Sequence, residues 1–275
     1  MKIVKFCFCS AALLVMGAGQ ATATTFFADQ FNYPDGQLTI NDGTGDDVSG
    51  GLWVPHSGET FSDNIDVISG QAELLNSGSE DAHRDTGTFN AAGTTWYYAA
   101  MVTVNDRRAD PANESINNDY FIHFWGPSFA FRGRTYLHDP NVASTSNFTL
   151  GLSATSGGQV VQSATDLAFG EQFKIVTSFD FDTGESKLWV NPTDINSPSV
   201  SDTNAAAIGS FVSSLAMRQD FISPGTPNNQ ILVDAVAIGD NFGDVLRDVM
   251  VPEPTGLMLV LAGLIGLVSI RSRQS

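Results

Sequence analysis

Cysteine is almost absent from this 275-residue chain, and the two that occur, Cys7 and Cys9, both lie within the first 23 residues. The rest of the chain therefore forms no disulfide bond, holds no cysteine-ligated zinc and offers no thiol nucleophile. A body of this length does not need disulfides, because its hydrophobic core is large enough to stabilise it.

Basic residues are also scarce. The chain has 13 Lys and Arg against 30 Asp and Glu, a formal net charge of −17. Without the terminal segments 1–23 and 251–275, nine basic and 29 acidic residues remain, a net charge of −20. Such a surface repels nucleic acid and anionic membranes, and the sequence shows no basic patch. The acidity indicates either attraction of divalent cations or simply the solubility of an exported protein.

Catalytic motifs are missing as well. Glycoside hydrolysis requires two nearby carboxylates, but no glutamate of the body has an acidic partner at alternate positions of a predicted strand. His123, in an aromatic strand, is interpreted as a packed side chain. We therefore expect no enzymatic activity. The alternative is a catalytic pair of carboxylates contributed by two different strands, which the sequence does not show. The histidines, none of which shows metal-ligand spacing, are His56, His83, His123 and His138.

The N-terminus carries an export signal. Lys2 and Lys5 precede an apolar run, and Ala21 and Ala23 provide the small residues of a cleavage site. We predict that residues 1–23 form a helical signal peptide, which signal peptidase removes after Ala23. No cysteine follows this site, so a lipoprotein anchor is not expected.

The C-terminal segment 251–275 carries an apolar run at 256–270. Its 15 residues are fewer than the about 20 that a comfortable membrane-spanning helix needs. The basic residues behind the run favour a cytoplasmic C-terminus, with the exported body outside. We therefore predict a short transmembrane helix that holds the protein temporarily, with a permanent anchor as the alternative. The flanking residues are Pro252, Glu253 and Pro254 before the run and Arg271 and Arg273 after it.

This order of tripeptide, apolar helix and terminal arginines resembles the PEP-CTERM sorting signal. The resemblance implies that an exosortase, a membrane-embedded sorting enzyme, recognises and cuts the segment. It also implies a final location at the cell envelope, on the surface or in the extracellular matrix, in bacteria that make exopolysaccharide. Ser272 separates the two arginines, so the basic cluster is thinner than in many members of this family.

The body, residues 24–250, reads as one all-β domain. Gly, Ser, Thr, Asn and Asp interrupt any long helical period, and short alternating runs between turns indicate strands. Alternation on both sides of Asp182-Thr183-Gly184 predicts a hairpin over Gln172–Asn191. A second hairpin is predicted around Ser69-Gly70-Gln71. Further strands are predicted at Thr95–Val104, Tyr120–Trp125, Phe129–Leu137, Phe148–Leu152 and Ile231–Ile238.

Three short segments resemble laminin-G-like and concanavalin-A-like jelly-roll domains. They are 27–33 (Phe-Ala-Asp-Gln-Phe-Asn-Tyr), 188–192 (Leu-Trp-Val-Asn-Pro) and 233–239 (Val-Asp-Ala-Val-Ala-Ile-Gly). The resemblance implies a two-sheet antiparallel jelly-roll sandwich over residues 24–250. It is informative about the fold and does not identify a ligand.

Acidic loops are the candidate metal sites, because calcium takes about six to eight oxygen ligands. Aspartates cluster in 41–48 and follow the last predicted strand at Asp240 and Asp244. The first and last strands of jelly rolls are often neighbours, so Asp29 and Asp234 are expected to face one calcium ion. The alternative is ordinary turn chemistry, which favours Asp and Asn without any metal.

Aromatic side chains offer stacking surfaces for sugar rings. Trp53, Trp96, Trp125 and Trp189 are candidates, although most of them are expected in the core. The leading hypothesis is a non-enzymatic surface or matrix protein that binds a glycan or exopolysaccharide. A purely structural or adhesive envelope protein is the rival hypothesis, and a glycan hydrolase is the third. No nucleic-acid partner is expected.

Overall fold

The computed structural model describes residues 25–250 except 40–46, 58–63, 76–77, 88–92, 113, 115, 117–118, 128, 156–159, 210 and 220–228. The predicted signal peptide, with Ala21 and Ala23, lies outside the described residues. The predicted sorting tail, with its transmembrane helix at 256–270, lies outside them too. Within the described residues no helix is long and apolar enough to cross a membrane.

Two antiparallel β-sheets make up most of the described chain. The nine-stranded sheet has the order β14-β13-β12-β7-β16-β5-β4-β2, and β1 also pairs with β16. The seven-stranded sheet has the order β11-β10-β9-β8-β15-β6-β3. The predicted all-β jelly-roll sandwich is confirmed. The strands are β1 (Thr25–Asp29), β2 (Gly36–Gln37), β3 (Val54–Ser57), β4 (Asp66–Ile68), β5 (Gln71–Leu75), β6 (Asp81–Asp85), β7 (Thr95–Asp106), β8 (Tyr120–Trp125), β9 (Arg132–His138), β10 (Asn147–Thr155), β11 (Val161–Ala168), β12 (Gln172–Asp180), β13 (Glu185–Val190), β14 (Ser199–Thr203), β15 (Ser214–Arg218) and β16 (Asn229–Gly239).

Both hairpins predicted from the sequence are present, as β12–β13 and β4–β5. Gly184 closes the first turn with a φ of 69°, and an added Cβ would lie 2.3 Å from the Asn204 carbonyl oxygen. A larger residue is therefore excluded both by backbone conformation and by space. In the second turn Ser69 and Gly70 have φ values of 52° and 79°, the left-handed pair that suits a two-residue hairpin.

The main core lies between the two sheets, because each strand turns alternate residues inward. Trp53 and Trp96 are buried there, as expected, whereas Trp125 is half-buried outside this core. Burial of each large apolar side chain contributes about 2 kcal/mol. Other large, fully buried rings between the sheets are Tyr98, Phe124, Phe148, Phe179 and Phe181.

A short helix, α1 (Phe242–Val249), follows β16 and was not predicted. Its buried residues pack with Ala99, Val176 and Trp189 on the outer side of the nine-stranded sheet. The sequence did contain the signal, because Asn241 caps the helix and accepts from the Asp244 amide at 3.1 Å. The buried residues, Phe242, Val245, Leu246 and Val249, follow the helical period.

The two outer faces of the sandwich therefore differ. α1 covers part of the outer face of the nine-stranded sheet with apolar contacts. In the described part of the chain no helix covers the outer face of the seven-stranded sheet. The strands of that second sheet carry polar and aromatic side chains on this face.

Candidate functional site

The outer face of the seven-stranded sheet, which is turned away from the core, carries the candidate site. On β8, Ile122 and Phe124 belong to the core, so the intervening His123 points outward. Simple alternation would place Tyr120 with Ile122, but the register shifts between these two residues. This one-residue bulge turns the Tyr120 ring to the outer face, where its centroid lies 5.1 Å from that of His123.

A second bulge brings Arg134 opposite His123. Gly133 and Arg134 of β9 stand against the single residue His123 of β8. Gly133 has a φ of 53°, and an added Cβ would lie 3.1 Å from the Phe124 ring, so a glycine fits here without strain. From the opposite sheet, the Tyr98 hydroxyl donates to the Gly133 carbonyl at 2.9 Å and supports the bulge from below.

Tyr120, Tyr136, Arg134 and Arg218 form the arginine–tyrosine cluster. The Tyr120 ring lies between two guanidinium groups, with its centroid 4.7 Å from the Arg134 Cζ and 4.4 Å from the Arg218 Cζ. The Arg134 Cζ also lies 5.3 Å from the Tyr136 centroid, and its Nη2 donates to the Thr155 carbonyl at 2.5 Å. Cation–π contacts contribute about 0.5–2 kcal/mol each, so the rings help to fix both guanidinium groups.

The two arginines of this cluster differ in their charge partners. Arg218 contacts two carboxylates, those of Asp119 and Asp81. Arg134 has no carboxylate partner among the described residues, and its contacts are a carbonyl oxygen and two aromatic rings. Burial, and to a lesser extent the positive charge of Arg134, lowers the pKa of the nearby Arg132.

His56, His83 and Trp125 form the adjacent histidine–tryptophan cluster. The Nδ1 atoms of the two histidines are 3.3 Å apart, and both imidazole rings lie within 5.1 Å of the Trp125 ring, centroid to centroid. Burial, assisted by His83, lowers the pKa of His56 to about 4. Burial also lowers the pKa of His83, although Asp85 acts in the opposite direction. Both imidazoles are therefore neutral at pH 7.

His123 lies between the two clusters and is fully buried. Its ring contacts Phe131 at 4.7 Å and Tyr120 at 5.1 Å between centroids. Burial, followed by the neighbouring His56 and the positive charges of Arg134 and Arg218, holds the pKa of His123 well below the ordinary value of 6.5. A neutral imidazole thus sits beneath aromatic rings, next to a guanidinium group.

Buried polar atoms without a hydrogen-bond partner concentrate on this face. Leaving such an atom unpaired costs about 1–3 kcal/mol, and native proteins contain few of them. Their concentration indicates a surface whose hydrogen-bonding capacity is completed by something other than the described residues. The atoms are Nε2 of His56, Nδ1 and Nε2 of His123, Nε1 of Trp125 and Nε of Arg134.

The sequence did not reveal that arginines of the body lie together on this face. Arg132 and Arg134 come from β9 and Arg218 from β15, so three of the nine basic residues of the body meet on one face. His56 and His83 are also far apart in the sequence, and they meet because β3 pairs with β6. The sequence did contain one signal, because Arg132, Arg134 and Tyr136 occupy alternate positions of β9 and therefore share one face of the strand.

The two aspartates expected to share a calcium ion are placed on neighbouring strands, because β1 pairs with β16. The structure nevertheless does not bring the two carboxylates together. That of Asp29 points between the sheets and pairs with Arg84 at 2.6 Å. That of Asp234 accepts hydrogen bonds from the side chains of Gln71 and Gln172. Asp29 already has a cationic partner and is not available as a calcium ligand.

The other acidic candidates give no metal site in the part of the chain that is described. Asp244 belongs to α1, where it pairs with Arg247 at 2.6 Å instead of lying in a loop. Most of the acidic stretch 41–48 lies outside the described residues. Among the described residues no group of three or more His, Cys, Asp or Glu is placed to hold a metal ion.

A cavity lies on the opposite side of the sandwich, beside α1. Its volume is about 470 Å³, and Tyr97, Phe242 and Leu246 line it. The basic side chain in its lining, Arg247, already pairs with Asp244. None of the unpaired buried polar atoms described above lines this cavity, so it is the weaker candidate.

No protein-family model and no curated protein sequence matches this chain. Among solved structures, it is similar to the carbohydrate recognition domain of Emp47p, with 14% identity, a TM-score of 0.40 and coverage of 81% of this chain and 99% of that domain. It is also similar to the marine PL7 alginate lyase AlyA1 from Zobellia galactanivorans, with 14% identity, a TM-score of 0.45 and coverage of 72% and 89%.

A sialidase is a further similar structure, with 10% identity and a TM-score of 0.47 over 79% of this chain. The match spans 19% of the sialidase, so most of that protein has no counterpart here. All three similarities are distant, and the function of this protein has to be inferred from its own residues.

Proposed function

We propose that this protein binds a glycan, without cleaving it, on the outer face of the seven-stranded sheet. The observation that supports this most strongly is the concentration of unpaired buried polar atoms on that face, at His56, Trp125 and Arg134. A sugar is rich in hydroxyl groups that both donate and accept, so it suits imidazole, indole and guanidinium partners. Glycan binding therefore accounts for polar atoms that the fold itself leaves without partners.

Aromatic rings on the same face support this proposal, because the apolar side of a sugar packs against them. Phe129 is 58% exposed and has a left-handed φ of 58°, which is unfavourable for a bulky residue. Its ring lies 6.0 Å from that of Phe131, which in turn contacts His123. Backbone strain that presents an apolar ring to solvent is typical of a binding position.

Binding fits the described side chains better than hydrolysis. A retaining or inverting glycosidase needs one protonated and one free carboxyl group. On this face Asp81 and Asp119 both contact the same arginine, Arg218, so neither carboxyl group is free of an ion-pair contact. His123 is fully buried under aromatic rings, so it does not reach a substrate as a base.

The test is a glycan array with the purified protein, followed by titration of the glycans that bind. Replacing Phe129 by alanine is expected to weaken binding about tenfold, because the stacking surface is lost. Ile195→Ala is the matched control, since Ile195 is 49% exposed and lines the cavity beside α1. It is expected to leave the affinity unchanged.

Three results would count against this function. An array without any binding would favour the structural or adhesive alternative. Equal weakening by Phe129→Ala and Ile195→Ala would move the site away from the seven-stranded sheet. Release of new reducing ends from a bound glycan would show hydrolysis and contradict the non-enzymatic assignment.

We also propose that the protein is exported and sorted to the envelope or the extracellular matrix. The sequence of both termini supports this, with signal peptidase and an exosortase as processing partners. Replacing Pro252, Glu253 and Pro254 by alanine is expected to block removal of the tail but not export, so a heavier, membrane-bound form accumulates. Mass spectrometry that finds Arg273 on wild-type protein from the envelope would instead identify the tail as a permanent anchor.

A further inference from the structure

Arg134 differs from the other well-ordered cations of the body. The Arg134 guanidinium has no carboxylate partner among the described residues; it contacts a carbonyl oxygen and two aromatic rings. Most other basic side chains pair with an acidic one. These pairs are Arg84–Asp29, Arg107–Glu73, Arg108–Asp106, Lys187–Glu185, Arg218–Asp119 and Arg247–Asp244.

Burial makes this missing counter-charge significant. Arg134 is 7% exposed, and its Nε is buried without an acceptor. A buried charge is unfavourable unless it is paired and hydrogen-bonded. A guanidinium group offers donors in a planar fork that matches a carboxylate or another oxyanion. An anion that reaches Arg134 would supply both the missing charge and the missing acceptor.

On the basis of the glycan-binding function proposed above, we propose that the ligand is an acidic polysaccharide whose oxyanion, a carboxylate or a sulfate, pairs with Arg134. The neighbouring charges give the two arginines different roles. Arg218 is already compensated by Asp119 and Asp81, and its guanidinium group also contacts the Tyr120 ring that Arg134 contacts. Arg218 is therefore a positioning residue, and Arg134 is the residue that binds the anion.

The acidic body does not prevent this interaction. A net charge of −20 outside the terminal segments repels a polyanion at long range. At physiological ionic strength, however, charges more than about 8 Å away are largely screened. The Arg134 pair is desolvated and is screened much less, so local recognition outweighs the distant repulsion. The same repulsion disfavours loose binding of polyanions anywhere else on the surface.

The experiment compares polymers that share a backbone but differ in charge. Polygalacturonate is titrated against its fully methyl-esterified form, and dextran sulfate against dextran, by calorimetry with the purified protein. We expect an acidic polymer to bind at least tenfold more tightly than its neutral counterpart. The first pair detects a preference for carboxylate and the second a preference for sulfate, and either preference supports the inference.

Variants assign the preference to Arg134. Arg134→Gln is expected to weaken binding of the acidic polymer about tenfold to a hundredfold, because a charge-assisted pair is lost. Arg134→Lys is expected to retain part of the affinity, since it keeps the charge without the planar fork. Arg247→Gln is the matched control, because it removes the same charge from α1 and is expected to change nothing. Thermal unfolding confirms that each variant is folded. If Arg134→Gln does not fold, the test uses Arg134→Lys together with the comparison of polygalacturonate and its methyl-esterified form.

Three outcomes would overturn the inference, and they are distinguishable. Equal binding of acidic and neutral polymers, unaffected by Arg134→Gln or Arg134→Lys, would remove the acidic ligand and leave glycan binding intact. Failure of the protein to bind any polymer, here and on the glycan array, would remove both proposals. Equal losses from Arg134→Gln and Arg247→Gln would show a general charge effect and also overturn the role of Arg134.

Discussion

Replacing Asp29 by asparagine is expected to lower the free energy of unfolding by about 3 kcal/mol, because it leaves the half-buried Arg84 without its counter-charge. Asp29 belongs to one sheet and Arg84 to the other, so their 2.6 Å ion pair joins the two layers. The same carboxylate accepts from the Trp53 indole at 2.9 Å, the Tyr33 hydroxyl at 2.7 Å and the Phe31 amide at 2.9 Å. Equilibrium unfolding in urea measures the loss.

Asp234→Asn is the matched control for that variant. Asp234 lies on the strand next to Asp29 but accepts hydrogen bonds from two glutamine amides, so its change is expected to stay within about 0.5 kcal/mol. Adding Arg84→Met to Asp29→Asn should restore much of the lost stability, because no unpaired charge remains. Similar losses from Asp29→Asn and Asp234→Asn, or a loss that millimolar calcium modulates in both, would revive the shared calcium site.

Acidification is expected to destabilise the protein through its neutral histidines. The pKa of His56 is about 4 in the folded protein, and that of His123 is held well below 6.5. As the pH falls below 6.5, the unfolded chain binds protons that the folded protein does not, so unfolding becomes more favourable. Each histidine that stays neutral in the folded state contributes a loss of about 2 kcal/mol between pH 7.5 and pH 5.

His123→Leu isolates one of these contributions. Leucine has a similar size and no titrating group, so the variant is expected to lose about 2 kcal/mol less than wild type between pH 7.5 and pH 5. It also removes two unpaired buried nitrogens, which should stabilise the variant even at pH 7.5. His138→Gln is the comparison variant, because His138 lies at a more exposed position and burial lowers its pKa against the opposing effect of Asp139. Its effect on the pH dependence is expected to be smaller than that of His123→Leu.

Urea unfolding of all three proteins at both pH values provides the comparison. Burial raises the pKa of Glu80 and of Asp66, which acts in the opposite direction at low pH. That contribution is common to wild type and variants and cancels in their difference. An identical pH dependence for wild type and His123→Leu would mean that His123 is already protonated or solvated in the folded protein.

The sequence was most informative where structure depends on neighbouring residues. The β12–β13 hairpin was predicted because alternation and a glycine turn are local features, and Gly184 occupies the left-handed position. The helix α1 was missed although Asn241 and the spacing of Phe242 and Val245 signalled it. Aspartates nearby had been interpreted as loop residues, and an eight-residue helix is short enough to be masked by that composition.

The candidate site could not be predicted in the same way, because it depends on register. Arg134 and Arg218 are far apart in the chain and meet only when β8 lies between β9 and β15. Two bulges then decide which side chains face outward, and a pattern of strict alternation puts Tyr120 on the wrong side. A packed His123 was expected from its aromatic neighbours and is found buried, but its position beside Arg134 was not expected.

The position of α1 determines the orientation of the molecule if it is anchored through its C-terminal end. α1 ends at Val249 against the nine-stranded sheet, whereas Arg134 and Phe129 belong to the side of the other sheet. The two sheets of a sandwich lie about 10 Å apart. Met250, which follows α1, therefore lies on the opposite side of the sandwich from the arginine–tyrosine cluster. A molecule tethered through its C-terminal end would therefore present that cluster to the environment and its helical side to the cell.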